Sequence, residues 1–178
     1  MRGERKLPIG VLQEQLVPAL VSRGFLETPL SKQGGSGREL LLAFPLGHLK
    51  RASGANLDLL DIQVHPRQAA FVLSFSVAPP EGVTLPWGHF IQSQLLASEV
   101  PERCRLYANR RSITWFAPRL CTFAKPAKWR VDDAVQRAIA LIPEVDSYFS
   151  NQALGPHVKC LVQEFDVSGK PRITMRTA

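Results

Sequence analysis

Two β-rich runs stand almost back to back in the middle of the chain, "LDLLDIQVH" at 57–65 and "AAFVLSFSVAP" at 69–79. In the second, Phe71, Leu73, Phe75 and Val77 share one face, against Val72, Ser74 and Ser76 on the other. That period of two is a half-buried strand. The first run alternates less cleanly at Leu57, Leu59 and the pair Leu60/Ile62, which predicts a bulge or burial on both faces. Only "PRQ" separates the runs, so they are expected to pair as an antiparallel hairpin. The 14 prolines are scattered along all 178 residues. Many short elements and turns follow from that, rather than a long helix bundle.

Helical periodicity appears twice. In "LPIGVLQEQLVPALVSRGF", Leu12, Leu16 and Leu20 recur every four residues, between Ile9 and Phe25. Pro8 suits a first turn and Gly24 a C-terminal stop. Pro18 is the misfit and predicts a kink, or two short helices end to end. In "WRVDDAVQRAIALI", Val131, Ala134, Val135, Ala138, Leu141 and Ile142 form one stripe. Asp132 and Asp133 are expected in its first turn, and Pro143 is expected to end it or to start a short second helix through "EVDSYF".

The remaining stretches read as follows. "ELLLAFPLG" is a short strand, and "SKQGGSGRE" and "GHLKRASGAN" are loops. "HFIQSQLLASEV" slightly favours helix. "RCRLYA" and "RSITWFA" form a second hairpin around "NR". "GPHVKCLVQEFDV" is a closing strand, and "SGKPRITMRTA" a turn and tail. Strands cluster instead of alternating with helices, and no repeat is evident. The expectation is a single α+β domain over 1–178, with an antiparallel sheet packed against the N-terminal helix and a helix at 131–142.

The stretch "LVPALVSRGF", residues 16–25, resembles the start of a bacterial family of small domains of unknown function. Those domains open with a helix ending in L-x-P-x-L-x-x-x-G-F and continue as a meander of strands. The resemblance spans roughly the first 80 residues. It implies an α+β fold and brings no catalytic residues.

Charge is concentrated in one place. The chain carries 22 basic and 15 acidic residues, net +7, yet residues 103–130 hold eight Arg/Lys and no Asp or Glu. The rest is close to neutral, so a local anionic partner is favoured over general polyanion attraction. Five aromatics, Tyr107, Trp115, Phe116, Phe123 and Trp129, interleave with the cations. The functional reading is a groove in which Arg110, Arg111, Arg119, Lys125, Lys128 and Arg130 contact phosphates or acidic side chains. Tyr107, Phe116 or Trp129 would stack on bases. The competing reading puts Leu106, Ile113 and Trp115 in the core and leaves the cations as a solvated face.

Other chemistries find little to rest on. "GGSGR" is neither a phosphate loop nor a nucleophile elbow. His157 and Cys160 would point to opposite faces of a strand, and so would Asp58 and Asp61. Glu164 and Asp166 could share a face. His48, His65 and His89 fall in separate loops or strand ends. No metal or cofactor is expected. The three cysteines, Cys104, Cys121 and Cys160, are an odd number with apolar neighbours, and read as buried free thiols in a reducing cytosol. The N-terminus lacks the apolar core of a signal peptide, and no run approaches a membrane span. The sequence therefore reads as a soluble cytoplasmic binding module for nucleic acid or an acidic protein, without assigned catalytic residues. The alternative is an enzyme whose pocket gathers scattered histidines and carboxylates.

Overall fold

The computed structural model describes residues 9–28, 41–84, 90–91, 96–118, 127–165 and 170–178. A seven-stranded antiparallel sheet runs in the order β1-β2-β3-β4-β7-β8-β9. The strands are β1 (Leu26–Thr28), β2 (His48–Ser53), β3 (Asn56–Val64), β4 (Phe71–Ala78), β7 (Glu102–Leu106), β8 (Val158–Phe165) and β9 (Pro171–Thr177). A separate small ribbon pairs β5 (Val83–Thr84) with β6 (Phe90–Ile91). An N-terminal helix and a long helix, Ala127–Asn151, cover one face, and the architecture is α+β as expected. Among the described residues, no helix is long and apolar enough to cross a membrane.

The helix-bearing face is apolar. Leu49, Leu60, Ile62, Phe71, Leu73, Phe75, Leu106 and Val158 meet Leu12, Leu16 and Leu20 of the first helix. Val131, Ala134, Val135, Ala138, Ile142 and Val145 complete the core from the long helix. Leu12, Leu16 and Leu20 are fully buried, as their spacing predicts, whereas Ile9 remains exposed. Pro18 does not break the first helix. A π-helical turn, Leu12–Leu16, precedes it, with Val17 N–H reaching back to the Leu12 carbonyl. Widening the turn relieves the crowding that a proline ring imposes on the preceding carbonyls. The helix then runs through Val17–Val21 and stops at Gly24, whose φ of 88° lies in the left-handed region. Gly24→Ala is expected to cost about 1 kcal/mol, read as a lower denaturant midpoint.

The β3–β4 hairpin forms in unbroken register from Leu57↔Ala78 to Val64↔Phe71. β3 has no bulge; it is buried on both faces, which explains its imperfect alternation. Asp58 and Asp61 do point to opposite faces: Asp58 joins Arg51 on the helix side, and Asp61 lies opposite.

Several sequence expectations are corrected. "GHLKRASGAN" is not a loop: it supplies β2, which turns at Gly54 (φ 59°) into β3. The described part of "ELLLAFPLG", residues 41–47, is not a strand; 41–43 form a helical turn leading into β2, and 39–40 lie outside the described residues. Pairing with β3 stabilises a polar strand whose own propensity is weak. The tail "PRITMRT" is β9. The "RCRLYA"/"RSITWFA" hairpin does not form. β4 and β8 occupy both edges of β7, and among the described residues the second segment joins the sheet through a bridge from Phe116 to Phe71, with the Ala108 amide donating to the Thr114 carbonyl beyond β7. Ile113, which the solvated-face reading puts in the core, is 60% exposed.

The long helix starts before Asp132 and Asp133, which therefore lie beyond its first turn, and it continues through Pro143. Pro143 sits on the exposed side, while Val145 and Tyr148 continue the buried stripe. Of "HFIQSQLLASEV", Phe90–Ile91 are β6 and Ala97–Glu99 a 3-10 turn. The remainder up to residue 95 lies outside the described residues.

The free-thiol reading fails for two cysteines. Cys104 and Cys160 are direct cross-strand partners on β7 and β8, fully buried, and joined by a disulfide. The inference to a reducing compartment loses its basis for this pair. Cys121 lies outside the described residues.

Candidate functional site

The face of the sheet turned away from the helices has a different chemistry. Register places one residue from each strand in a continuous row: Thr28, His48, Asp61, Ser74, Arg105, Lys159 and Thr177. All seven are polar. Antiparallel partners lie within reach of one another's side chains, so the row is a physical track across the sheet. Ser76 and Arg103 stand beside it on β4 and β7.

Much of this row is out of water. His48, Asp61, Ser74 and Ser76 are each no more than 1% exposed, and Lys159 is 9% exposed. The 3-10 turn Ala97–Glu99 lies over part of it. Ser98 N–H donates to Asp61 Oδ2 at 3.2 Å, and Ala97 and Val100 pack on Leu59 and Ala78. Among the described residues, four buried polar atoms have no hydrogen-bond partner: both ring nitrogens of His48, Asp61 Oδ1 and Ser76 Oγ. Unpaired buried polar groups are uncommon in folded proteins and costly, which makes this cluster the candidate site.

Electrostatics agrees with this. Burial pushes the Asp61 carboxyl up to about 7, against the pull of the Ser98 and Ala97 amides; Glu99 adds to the rise and Lys50 opposes it. Burial, and secondarily Lys50, pushes the His48 imidazole down to about 4. Lys50 itself is lowered by burial, with Asp61 countering. Arg103 is lowered by burial and by the charge of Arg105. Groups shifted by burial plus a specific neighbour concentrate at functional sites.

The cations set the character of the face. Arg105 Nε donates to Ser74 Oγ at 3.2 Å and its Nη2 to Gln63 Oε1 at 3.3 Å, both neutral acceptors. Lys159 is its direct cross-strand partner, with Nζ 5.8 Å from the Tyr107 ring centroid. Like charges directly opposite each other destabilise a sheet. Among the described residues, Arg103, Arg105 and Lys159 have no carboxylate in ion-pair contact.

His48, Asp61 and Ser76 are residue types of nucleophilic catalysis, but no Ser–His or His–Asp hydrogen bond joins them. The other described histidines are held locally. His65 Nδ1 accepts from the Arg67 and Gln68 amides, and its ring meets Trp115 edge-on. His157 contacts Glu144 through both its backbone N–H and Nδ1. Among the described residues, no three His, Cys, Asp or Glu gather to hold a metal.

The residues singled out from the sequence disperse. Arg110 and Arg111 are exposed in the turn after β7. Tyr107 and Phe116 are core rings, 4% and 0% exposed, so neither offers a stacking face; Phe116 stacks on Phe71 instead. Lys128, Trp129 and Arg130 fall in the first turn of the long helix, with side chains outside the description. Arg119 and Lys125 lie outside the described residues. In the sequence His48, Asp61 and the pair Ser74/Ser76 stand in separate segments with nothing to join them, and Lys159 carries no signal. Alternation in the sequence puts Ser74 and Ser76 on one face of their strand, and Arg103 and Arg105 on one face of theirs. That pairing of signals was the available clue.

Compared with known proteins, the chain matches no family model, no curated protein and no solved structure. The resemblance carried by residues 16–25 stands on that stretch alone.

Proposed function

We propose that the protein is a non-catalytic binding module that takes an anionic ligand on the second face of its sheet. The observation that carries this reading is the group Arg103, Arg105 and Lys159, crowded on neighbouring strands without a carboxylate partner among the described residues. Two like charges face each other across β7 and β8, and an arriving anion would relieve that repulsion. Arg110 and Arg111, one turn further along, extend the positive field and would steer an anionic macromolecule toward it. Nucleic acid and an acidic protein both fit this chemistry.

The test is binding of single- and double-stranded oligonucleotides and of polyglutamate to the full chain while salt is titrated. Affinity is expected to fall steeply with salt. Arg103→Glu with Arg105→Glu should weaken binding about tenfold or more. Arg110→Glu with Arg111→Glu should slow association more than it speeds dissociation. Absence of binding to every anion at low salt would remove the reading.

A further inference from the structure

β9 is the last strand of the sheet. β8 pairs with one of its edges, and among the described residues no strand pairs with the other. Its side chains alternate strictly. Arg172, Thr174 and Arg176 lie opposite Glu164, Val162 and Cys160, on the helix-bearing face. Ile173 and Met175 lie opposite Gln163 and Leu161, on the second face, and are 60% and 50% exposed. Arg176 contacts Glu102, while Arg172 has no ion pair among the described residues. A seven-residue edge with open backbone groups, two bare apolar side chains on one face and two guanidiniums on the other is a template for another strand.

We propose that the outer edge of β9 captures an extended segment of a partner protein as an additional antiparallel strand, one in which acidic residues alternate with apolar ones. Register dictates that composition. Residues of the added strand opposite Arg172 and Arg176 share their face, where carboxylates are stabilised. Those opposite Ile173 and Met175 share the other face, where apolar side chains cover both. A second copy of this chain is the poorer occupant. A two-fold antiparallel pairing centred on Thr174 sets Arg172 opposite the copy's Arg176, and repeats the clash by symmetry. The proposal is independent of the anionic ligand on the second face, because it uses the backbone edge and a different pair of arginines.

The experiment uses the full chain and a fluorescent peptide of alternating valine and glutamate, the length of β9. Fluorescence anisotropy reads binding and hydrogen exchange reads the amides of 172–177. The valine–glutamate peptide is expected to bind and to protect those amides, and a valine–lysine peptide to bind about tenfold more weakly. Arg172→Glu with Arg176→Glu should reverse the preference in favour of the lysine peptide, a gain that a merely misfolded variant would not show. Ile173→Lys with Met175→Lys should lose both peptides. Arg103→Glu with Arg105→Glu should leave capture unchanged, which separates failure here from failure of the anionic face. Equal binding of the two peptides, capture without protection of 172–177, or protection of 172–177 by concentration-dependent self-association without peptide would overturn the proposal.

Discussion

Arg51→Ala is expected to lower the free energy of unfolding by about 3–5 kcal/mol. Arg51 lies on β2, and its guanidinium reaches three polar groups at once. Nη2 and Nε contact Asp58 Oδ2 at 2.8 and 2.9 Å, Nη1 donates to the Arg23 carbonyl at 3.0 Å, and Nη1 approaches Asp146 Oδ1 at 3.4 Å. The same group stacks over Phe25 and Phe149, 4.5 and 5.3 Å from their ring centroids. It therefore ties the sheet to both helices. The cost of losing it comes chiefly from Asp58, whose side chain is 1% exposed. Burial already raises that carboxyl, and Arg51 is what holds it down. Without the guanidinium, folding must either bury a bare carboxylate or protonate it. A buried acid raised above its unfolded value loses stability as pH increases, so the deficit should be larger at alkaline than at mildly acidic pH. Guanidinium-chloride unfolding at two pH values measures this. Arg51→Met combined with Asp58→Leu should recover most of the loss, since an apolar pair of similar volume replaces the buried ions without stranding either. A double variant as unstable as Arg51→Ala would place the energy in Asp146 and the aromatic rings instead.

The parts of the fold that were legible in the sequence are those stabilised by their own periodicity. Leu12, Leu16 and Leu20 mark a helix wherever they pack, and so do Val131, Ala134 and Ala138. Phe71, Leu73 and Phe75 mark a strand, and the short "PRQ" link fixes its partner. β2 and β9 were illegible because "HLKRAS" and "PRITMRT" are polar, and are strands only by virtue of the neighbours they pair with. The partners of β7 were misread for a related reason. Alternation in "RCRLYA" shows that a strand exists, but its bonds go to residues about thirty before and fifty after it, and nothing local encodes that choice.

The candidate site is the extreme case. Seven strands contribute one residue each, so no short window contains it. Arg105 and Lys159 become neighbours, and Cys104 and Cys160 become bonded, only through the β7–β8 register. The density of charge in 103–130 was visible. Which of those cations are crowded without carboxylates, and which lie in an open turn, depended on the sheet.

His48 and Asp61 should give the protein two opposing pH dependences that cancel until one of the pair is removed. The residues are direct partners across β2 and β3, both buried, and face Lys50, Glu99 and the Ser98 amide. Asp61 titrates near 7 when folded against 3.8 unfolded, so the folded chain keeps a proton that the unfolded chain releases. Its contribution is greatest below the unfolded value and is lost as pH rises toward 7, at up to about 1.4 kcal/mol per pH unit. His48 titrates near 4 when folded against 6.5 unfolded, so the unfolded chain holds the extra proton. Its contribution is full above the unfolded value and is lost as pH falls toward 4. Across about pH 4 to 6.5 the two slopes offset each other.

Asp61→Asn should therefore produce a chain whose stability rises with pH through that window, and His48→Leu one whose stability falls. Urea midpoints collected across the window read both, and parallel profiles in the two variants would refute the assignment. The same proton bears on the proposed ligand. Asp61 is the one carboxylate in a row that also holds Arg105 and Lys159, and it gains its charge as pH passes 7. Anion affinity of the parent chain should accordingly decline between neutral and mildly alkaline pH, while Asp61→Asn, whose row keeps only its cations, holds its affinity flat.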